Sequence, residues 1–383
     1  MKRSNTFLIT LLTFLTSMFI FTNTLNAQLV GIKTIPGDYA TIQLAVTELN
    51  TQGVGLGGVT FNVAAGYTES ITAPITITAA GITGNVIIFQ KSGAGANPLI
   101  TRTDAGTLAT STLGAQGDAV IIIQGSDYLT FDGIDLATSD QGIEYGYYLR
   151  KGSDVNGCKF VTIKNTTVTL TKGTSVYVAG IYSSNNDSTS LVSSATGITV
   201  TSVDGRNENV TLTGNTISNV FAGIVLRGFN HTTAPYDFYD QNFVVGINGA
   251  GNTIQNYAGN AIASAYGVYL IYHNNANVSY NTLNNILGGG SGATSIIYGI
   301  FNSTGVLSAF SANNNNINLT TSATTSAVYG INNAATGNLT VDNNIITINT
   351  TIANTGVVGF IYNTSAAASL TVSNAESNSF SCL

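Results

Sequence analysis

The sequence predicts an all-β fold, a right-handed parallel β-helix (solenoid) with a short N-terminal capping α-helix. The first observation is a repeat in which a Tyr-Gly-Ile-like element recurs, with glycines at Gly180, Gly223, Gly267, Gly299, Gly330 and Gly359. Their separations are 43, 44, 32, 31 and 29 residues. The last three match about one turn of a solenoid of 20–50 residues per repeat. The two longer separations indicate inserted loops, which we place at residues 185–194 and 232–242.

The second observation is the pattern of the short apolar runs. Val210-Thr-Leu-Thr and Leu339-Thr-Val-Asp alternate apolar and polar residues, which is typical of a strand with one face in a core. No segment between these runs has the length and period of a helix, which excludes leucine-rich and helical repeats. A propeller blade needs four strands in about 40 residues, which is more than these units hold.

Asparagine is the third repeated feature. Asn tolerates the left-handed backbone that a tight corner between strands requires. Identical Asn side chains on successive coils also form ladders of amide hydrogen bonds. We therefore favour corner ladders over the alternative, which is a polar strip that binds a ligand.

The N-terminal region carries different signals. Residues 1–27 have the layout of a secretory signal peptide, with Lys2 and Arg3, an apolar run to Phe21, and a small residue at Ala27. Residues 36–50 predict a helix with Asp38 as N-cap, and its apolar stripe comprises Ile42, Ala45, Val46 and Leu49. We assign residues 28–58 to an N-terminal cap that covers the open end of the solenoid, and residues 59–383 to the coils.

The composition excludes some classes of function. Charged residues make up 8% of the chain, against a usual share of about 25%. A hydrophobic share of 44% argues against disorder, and a net charge of −6 gives no basis for binding nucleic acid. No later segment predicts a membrane span, and we expect a secreted or cell-surface monomer. Cys158 and Cys382 are far apart in a stacked fold, so we expect two unpaired thiols, with Cys158 buried.

Charge is concentrated before residue 241, and any catalytic site has to lie there. After Asp240 the acids are Asp342 and Glu376, and there is no Lys or Arg. The candidate catalytic residues are Asp132, Asp135, Arg150 and Arg227, since a lyase needs a base and a hydrolase needs paired carboxylates. Asp132 and Asp135 are three residues apart, which puts them on opposite faces of a strand. The favoured interpretation is therefore that these acids lie at solvated turns. No motif indicates a cofactor or metal, and a Ca²⁺ site remains an alternative without a specific motif.

A second cluster lies in the second inserted loop. Its candidate ligand-binding residues are Arg227, His231, Tyr236, Asp237 and Tyr239. Aromatic rings there can stack on sugar rings, while Arg and Asp can bind hydroxyl groups. Loops that project from a rigid scaffold often carry function, although an ordinary polar loop is the simpler alternative.

Three segments carry a resemblance to a known superfamily. They are Asp38-Tyr-Ala-Thr-Ile-Gln-Leu-Ala-Val, Gly58-Val-Thr-Phe-Asn-Val and Asp127-Tyr-Leu-Thr-Phe-Asp-Gly-Ile-Asp-Leu. The chain resembles pectin-lyase-like right-handed β-helix proteins over residues 33–383, a superfamily of polysaccharide lyases, glycoside hydrolases, adhesins and tailspikes. It also resembles large bacterial surface proteins secreted by the type IX route. Because the sequence ends at Ser381-Cys-Leu383 inside a repeat, we expect a truncated fragment.

Three functions follow as hypotheses. The low charge and the Asn, Thr and Ser surface favour a non-catalytic, adhesin-like or glycan-contacting surface scaffold. The alternatives are a polysaccharide lyase or glycoside hydrolase, and a carbohydrate-binding passenger of a larger secreted protein. In each case the expected partner is a polysaccharide or a cell-surface glycan.

Overall fold

A computed structural model describes residues 27–108, 117–173, 177–190, 197–259, 264–365, 369–372 and 379–382. The predicted signal peptide lies outside these residues apart from Ala27. Within the described part of the chain, no helix is long and apolar enough to cross a bilayer.

Three long parallel sheets dominate the described structure, and each coil adds one strand to each sheet in turn. Sheet A contains β1 (Leu29–Ile35), β2 (Val54–Ala64), β5 (Ile87–Ser92), β8 (Leu129–Asp132), β11 (Thr162–Lys164), β14 (Thr211–Thr213), β18 (Val244–Val245), β22 (Ala276–Val278), β25 (Phe310–Asn313), β28 (Leu339–Asp342) and β31 (Leu370–Val372). Sheet B contains β3 (Thr68–Ile71), β6 (Leu99–Arg102), β9 (Asp135–Thr138), β12 (Thr167–Thr169), β15 (Thr216–Val220), β19 (Thr253–Tyr257), β23 (Thr282–Asn284), β26 (Asn316–Thr321), β29 (Ile345–Thr350) and β32 (Ser379–Cys382).

Sheet C completes each coil. It contains β4 (Ile75–Ile77), β7 (Ala119–Gln124), β10 (Tyr145–Arg150), β13 (Ala179–Ser183), β16 (Ala222–Arg227), β20 (Ala265–Ile271), β24 (Ile297–Asn302), β27 (Val328–Asn333) and β30 (Val358–Asn363). A further short pair joins β17 (Asp240–Gln241) to β21 (His273–Asn274). The predicted right-handed parallel β-helix is confirmed.

The core is a set of stacked columns, because parallel pairing in register puts equivalent residues above one another. The rings of Phe61 and Phe89 stack at 4.4 Å, and those of Phe89 and Phe131 at 5.2 Å, between their centroids. Ile217 pairs with Ile254, and the same column continues on both sides. Cys158 is buried as expected, and the side chain of Cys382 lies outside the described part.

The repeated glycines form a column of their own in sheet C. A Cβ atom on Gly223 would lie 2.5 Å from Ile254 Cγ2 and 2.6 Å from the carbonyl oxygen of Gly267. Only glycine therefore lets sheet B pack this closely on sheet C. This contact explains why the repeat was visible in the sequence.

The capping helix α1 spans Ile42–Gln52, and its four predicted apolar residues are all buried. The predicted N-cap was wrong, because Thr41 accepts the hydrogen bond from Leu44 N, while Asp38 bonds to Thr34. The carboxylate of Glu69 also accepts bonds from the N–H groups of Ile42 and Gln43, at 2.8 and 3.1 Å. Strand β1 lies within the segment assigned to the cap, so sheet A begins at Leu29.

Amide ladders occupy the corners between sheets A and B, as predicted. Four hydrogen bonds from Nδ2–H to Oδ1, at 2.9–3.1 Å, join side chains on five successive coils in the order Asn215, Asn252, Asn281, Asn315 and Asn344. The left-handed backbone lies one residue earlier in most coils, for example at Asn314 and Tyr280. Two adjacent residues therefore divide the two roles, because one adopts the left-handed backbone of the corner and the next forms the ladder.

Candidate functional site

The corner that leads from sheet C to sheet A carries the groove loop, which we define as residues 228–240. The loop follows the last residue of β16 and ends at β17, which pairs with β21 on the next coil. It corresponds to the second inserted loop that the long repeat spacing predicted. Its two ends are anchored on the coil, and its middle projects beside the corners of later coils.

A groove of about 410 Å³ lies between this loop and the corners of the following three coils. We call this space the groove. Its lining residues are Asn230, His231, Thr232, Tyr239, Tyr272, Ser303, Thr304, Gly305, Val306, Ala334, Ala335 and Thr336. An adjoining cavity of about 200 Å³ shares Asn230, Tyr272, Ser303 and Thr304 with it, and adds Arg227 and Tyr269.

His231 is held within the groove loop. Its ring stacks on Phe238 at 4.3 Å between centroids, and its Nδ1 accepts a hydrogen bond from Phe238 N at 3.3 Å. Asp237 Oδ1 lies 3.5 Å from the same nitrogen. These contacts fix the direction in which the imidazole faces the groove.

Tyr239 forms the floor of the groove. Its side chain is 2% exposed, and its hydroxyl oxygen accepts a hydrogen bond from Val306 N at 3.0 Å. Burial raises the pKa of this phenol. The rings of Tyr236 and Tyr272 lie 6.2 and 5.9 Å from it, so three aromatic rings converge beside the polar walls.

Arg227 borders the adjoining cavity. It donates a hydrogen bond from Nη1 to the hydroxyl of Tyr182 at 3.3 Å, at the edge of a buried cluster with Tyr145 and Tyr148. The interaction with Tyr182 raises the pKa of Arg227. The guanidinium thus has a fixed partner at the wall of the cavity.

The candidate catalytic acids do not converge. Asp132 ends β8 in sheet A, 3.1 Å from Lys164 Nζ, and accepts a bond from Asn165 Nδ2 at 2.7 Å. Asp135 begins β9 in sheet B and accepts bonds from Asn97 Nδ2 and Thr167 N. Because a corner separates them, placing both acids on one strand was wrong.

Arg150 lies at the end of β10 in sheet C, in a third part of the coil. Its guanidinium donates two hydrogen bonds to Gln124 Oε1, at 3.0 and 2.7 Å. Its strand pairs in register so that Arg150 faces Gln124 on the preceding coil. Three of the four candidates therefore bond to neighbouring coils, namely Asp132, Asp135 and Arg150. The fourth, Arg227, lies beside the groove.

The later coils supply eight of the twelve residues that line the groove, and none of the eight was predicted from the sequence. Tyr272, Ser303, Thr304 and Thr336 follow sheet C strands on successive coils. The signal was present, since each of these residues comes shortly after a Tyr-Gly-Ile-like element. Aligning those elements would have put the four side chains beside the groove loop.

The groove offers hydroxyl, amide, imidazole and aromatic groups. None of the described residues that line it is an acid. Across the described part of the chain, no three His, Cys, Asp or Glu side chains gather in a group that could hold a metal ion. These groups can donate and accept hydrogen bonds and can contact the face of a ring.

Comparison with known proteins gives structural similarity alone. No family model matches the sequence, and neither does any curated protein. Solved β-helix enzymes are similar in structure. An alginate lyase from Paenibacillus sp. has a TM-score of 0.45 and 11% identity, over 84% of this chain and 97% of that one.

Two further structures are similar at lower scores. A pectate lyase from Xanthomonas campestris has a TM-score of 0.39 and 10% identity, over 94% of this chain and 82% of that one. A GH136 lacto-N-biosidase from Eubacterium ramulus has a TM-score of 0.39 and 9% identity, over 89% and 67%.

Proposed function

We propose that this protein is an exported, extracellular or cell-surface β-helix scaffold that binds a neutral polysaccharide in the groove without cleaving it. The observation that carries the proposal is the groove itself, where the ring of Tyr272, next to the buried ring of Tyr239, lies between walls of hydroxyl and amide groups. Such sites bind sugars because an aromatic ring contacts the apolar face of a sugar while polar groups bond to its hydroxyls.

The charge pattern supports a neutral ligand. The coils after residue 240 form one wall of the groove, and they contain no Lys or Arg. Arg227 is engaged with Tyr182, which leaves His231 as the one titratable base among the residues that line the groove. An anionic polysaccharide would need several cations along its length.

The dispersal of the candidate acids supports binding over catalysis. A two-carboxylate hydrolase needs its acids about 5–9.5 Å apart across the substrate. Asp132 and Asp135 instead bond to neighbouring coils on different sheets, and the groove lining contains no carboxylate.

Retention on immobilised neutral glycans tests the proposal. Tyr272→Ala should abolish retention, because it removes an aromatic wall of the groove. Tyr280→Ala is the matched control, since Tyr280 also has a left-handed backbone and is 39% exposed but lies outside the groove lining. Equal retention of both variants, or no retention of the wild type on any neutral glycan, would contradict the proposal.

A further inference from the structure

A cluster of titratable side chains lies beneath the groove loop. Lys151 follows β10, Asp240 begins β17 and His273 begins β21, and all three have no exposed surface. Asp240 and His273 are paired in register on adjacent coils. Ionisable groups are costly to bury unless they are paired and hydrogen-bonded, so the position of these three needs an explanation.

The contact between Lys151 and Asp240 is short and poorly satisfied. Lys151 Nζ lies 2.5 Å from Asp240 Oδ1, which also accepts a hydrogen bond from Asn207 N at 2.8 Å. Asp240 Oδ2 has no hydrogen-bond partner among the described residues, and neither does Nδ1 or Nε2 of His273. An ammonium group has three N–H donors, and the hydrogen bonds of the described chain give this one a single acceptor.

Burial favours the neutral forms of this pair. It lowers the pKa of Lys151 and raises that of Asp240, since neither charge is hydrated. An amine and a carboxylic acid in contact are a nucleophile and an electrophile. A buried ion pair with unsatisfied atoms is also costly, and a neutral amide in the same place removes both charges.

We propose that Lys151 and Asp240 condense to an intramolecular isopeptide bond. Lys151 Nζ lies 2.5 Å from Asp240 Oδ1, which is one C–O bond from the carboxyl carbon. The distance from Nζ to that carbon is therefore at most about 3.7 Å, close to the roughly 3–3.5 Å of a reactive geometry. The carbonyl oxygen of the product keeps the bond from Asn207 N. This bond joins the end of the groove loop to the strand β10 of an earlier coil.

The atoms balance without an added reactant. The lone pair of the neutral Lys151 amine attacks the carboxyl carbon of protonated Asp240, and a C–N bond forms. The C–OH bond then breaks, and the hydroxyl leaves as water with one proton from the nitrogen. This proton passes from the nitrogen directly to the departing hydroxyl. Burial lowers the pKa of the His273 imidazole to about 3 and keeps it neutral, so it assists by donating a hydrogen bond from its N–H to that hydroxyl, since both of its nitrogens are unpartnered among the described residues.

Mass spectrometry of the purified, denatured chain tests the bond. The chain has no Lys or Arg after Arg227, so trypsin has to be followed by chymotrypsin. We expect a branched peptide that joins Lys151 to Asp240 and weighs one water less than its two parts. Recovery of the two peptides separate and unmodified would overturn the proposal.

An internal control is already present in the chain. Lys159 Nζ also lies 2.5 Å from an acid, Asp204 Oδ1, but that carboxylate is exposed. The peptides of Lys159 and Asp204 should be recovered unlinked, because Asp204 is exposed to water and the hydrogen bond from Lys159 lowers the pKa of its carboxyl. A linked Lys159 would show that proximity alone produces the signal and would overturn the role of burial.

Three variants complete the test. Asp240→Ala should abolish the branched peptide, whereas Asp240→Asn should keep it and release ammonia in place of water. His273→Phe, which preserves the contact with the ring of Phe243, should lower the linked fraction at early times. An unchanged rate in that variant would overturn the role given to His273.

Discussion

The coils before and after residue 241 differ in what joins one coil to the next. In the earlier coils, ion pairs bridge neighbours, such as Lys164 with Asp132 and Lys159 with Asp204, and loops interrupt the repeat. In the later coils, identical neutral side chains stack at regular spacing. The Asn ladder is one example, with four of its five residues in these coils, and Asn302, Asn333 and Asn363 form a second.

Aromatic stacking continues this regular pattern on the outside of sheet C. The ladder comprises Tyr266, Tyr269, Tyr298, Phe301, Tyr329 and Tyr362, with neighbouring centroids 4.1–5.4 Å apart. These rings cover each other's faces, so solvent meets mainly their edges. The ladder therefore holds register, whereas the groove leaves aromatic surface available to a ligand.

In such a fold, a binding site can arise where a loop breaks the repeat. A side chain that repeats on every coil is constrained by its copies above and below. The groove loop escapes this constraint because it breaks the repeat. Its walls then combine an irregular early coil with the regular corners of later ones.

The largest effect is expected from breaking the buried pair. Lys151→Met removes the proposed isopeptide bond and leaves the carboxyl of Asp240 buried without its partner, so it should cost roughly 3–5 kcal/mol of the free energy of unfolding. Lys159→Met is the matched control and should change little, because its partner Asp204 is exposed. Urea denaturation measures both, and equal losses would remove the distinction between the two pairs.

The Asn ladder provides the next test. Asn281→Ala removes the acceptor of Asn252 Nδ2 and N, and the donor to Val245 O and Asn315 Oδ1. Leaving such buried groups unpaired should cost roughly 3 kcal/mol. Asn316→Ala, on an exposed position of β26, should lie within about 0.5 kcal/mol of the wild type. If the two variants melt alike, the ladder does not stabilise the later coils.

Removing a ring from the aromatic ladder should have a smaller effect. Phe301→Ala takes away the stacking contacts with Tyr269 and Tyr298, at 5.4 and 4.3 Å. Because Phe301 is half-buried, we expect a loss of about 2 kcal/mol. Phe301→Tyr keeps the ring and should restore the midpoint of urea denaturation. A loss in both variants would point to the surroundings of the ring and away from stacking.

The smallest effect is a dependence on pH confined to the earlier coils. The hydrogen bond from Arg102 lowers the pKa of Asp104, so the folded state favours the ionised carboxylate. This stabilisation is present above the unfolded pKa and is lost as pH falls through the folded value. Asp104→Asn should melt below the wild type at about pH 6, and the gap should close towards about pH 3. A constant gap would contradict this assignment.

Much of the fold could be predicted from the sequence, because repeated residues report local constraints. The glycine column, the alternating strands and the corner asparagines each recur on neighbouring coils. The contact between Lys151 and Asp240 could not be predicted in this way. The two residues are 89 positions apart, and neither is repeated on neighbouring coils. The side of the groove that the loop forms was predictable, at His231 and Tyr239. The other side depends on the coil that each corner faces, which the inserted loops obscured.

The central claim is that the groove holds an intact neutral glycan. The most direct measurement is a crystal structure of the protein with the oligosaccharide that it retains most strongly. We predict an uncleaved ligand between His231 and Thr304, in contact with the ring of Tyr272. A ligand bound along the aromatic ladder, or a cleaved one, would contradict the account.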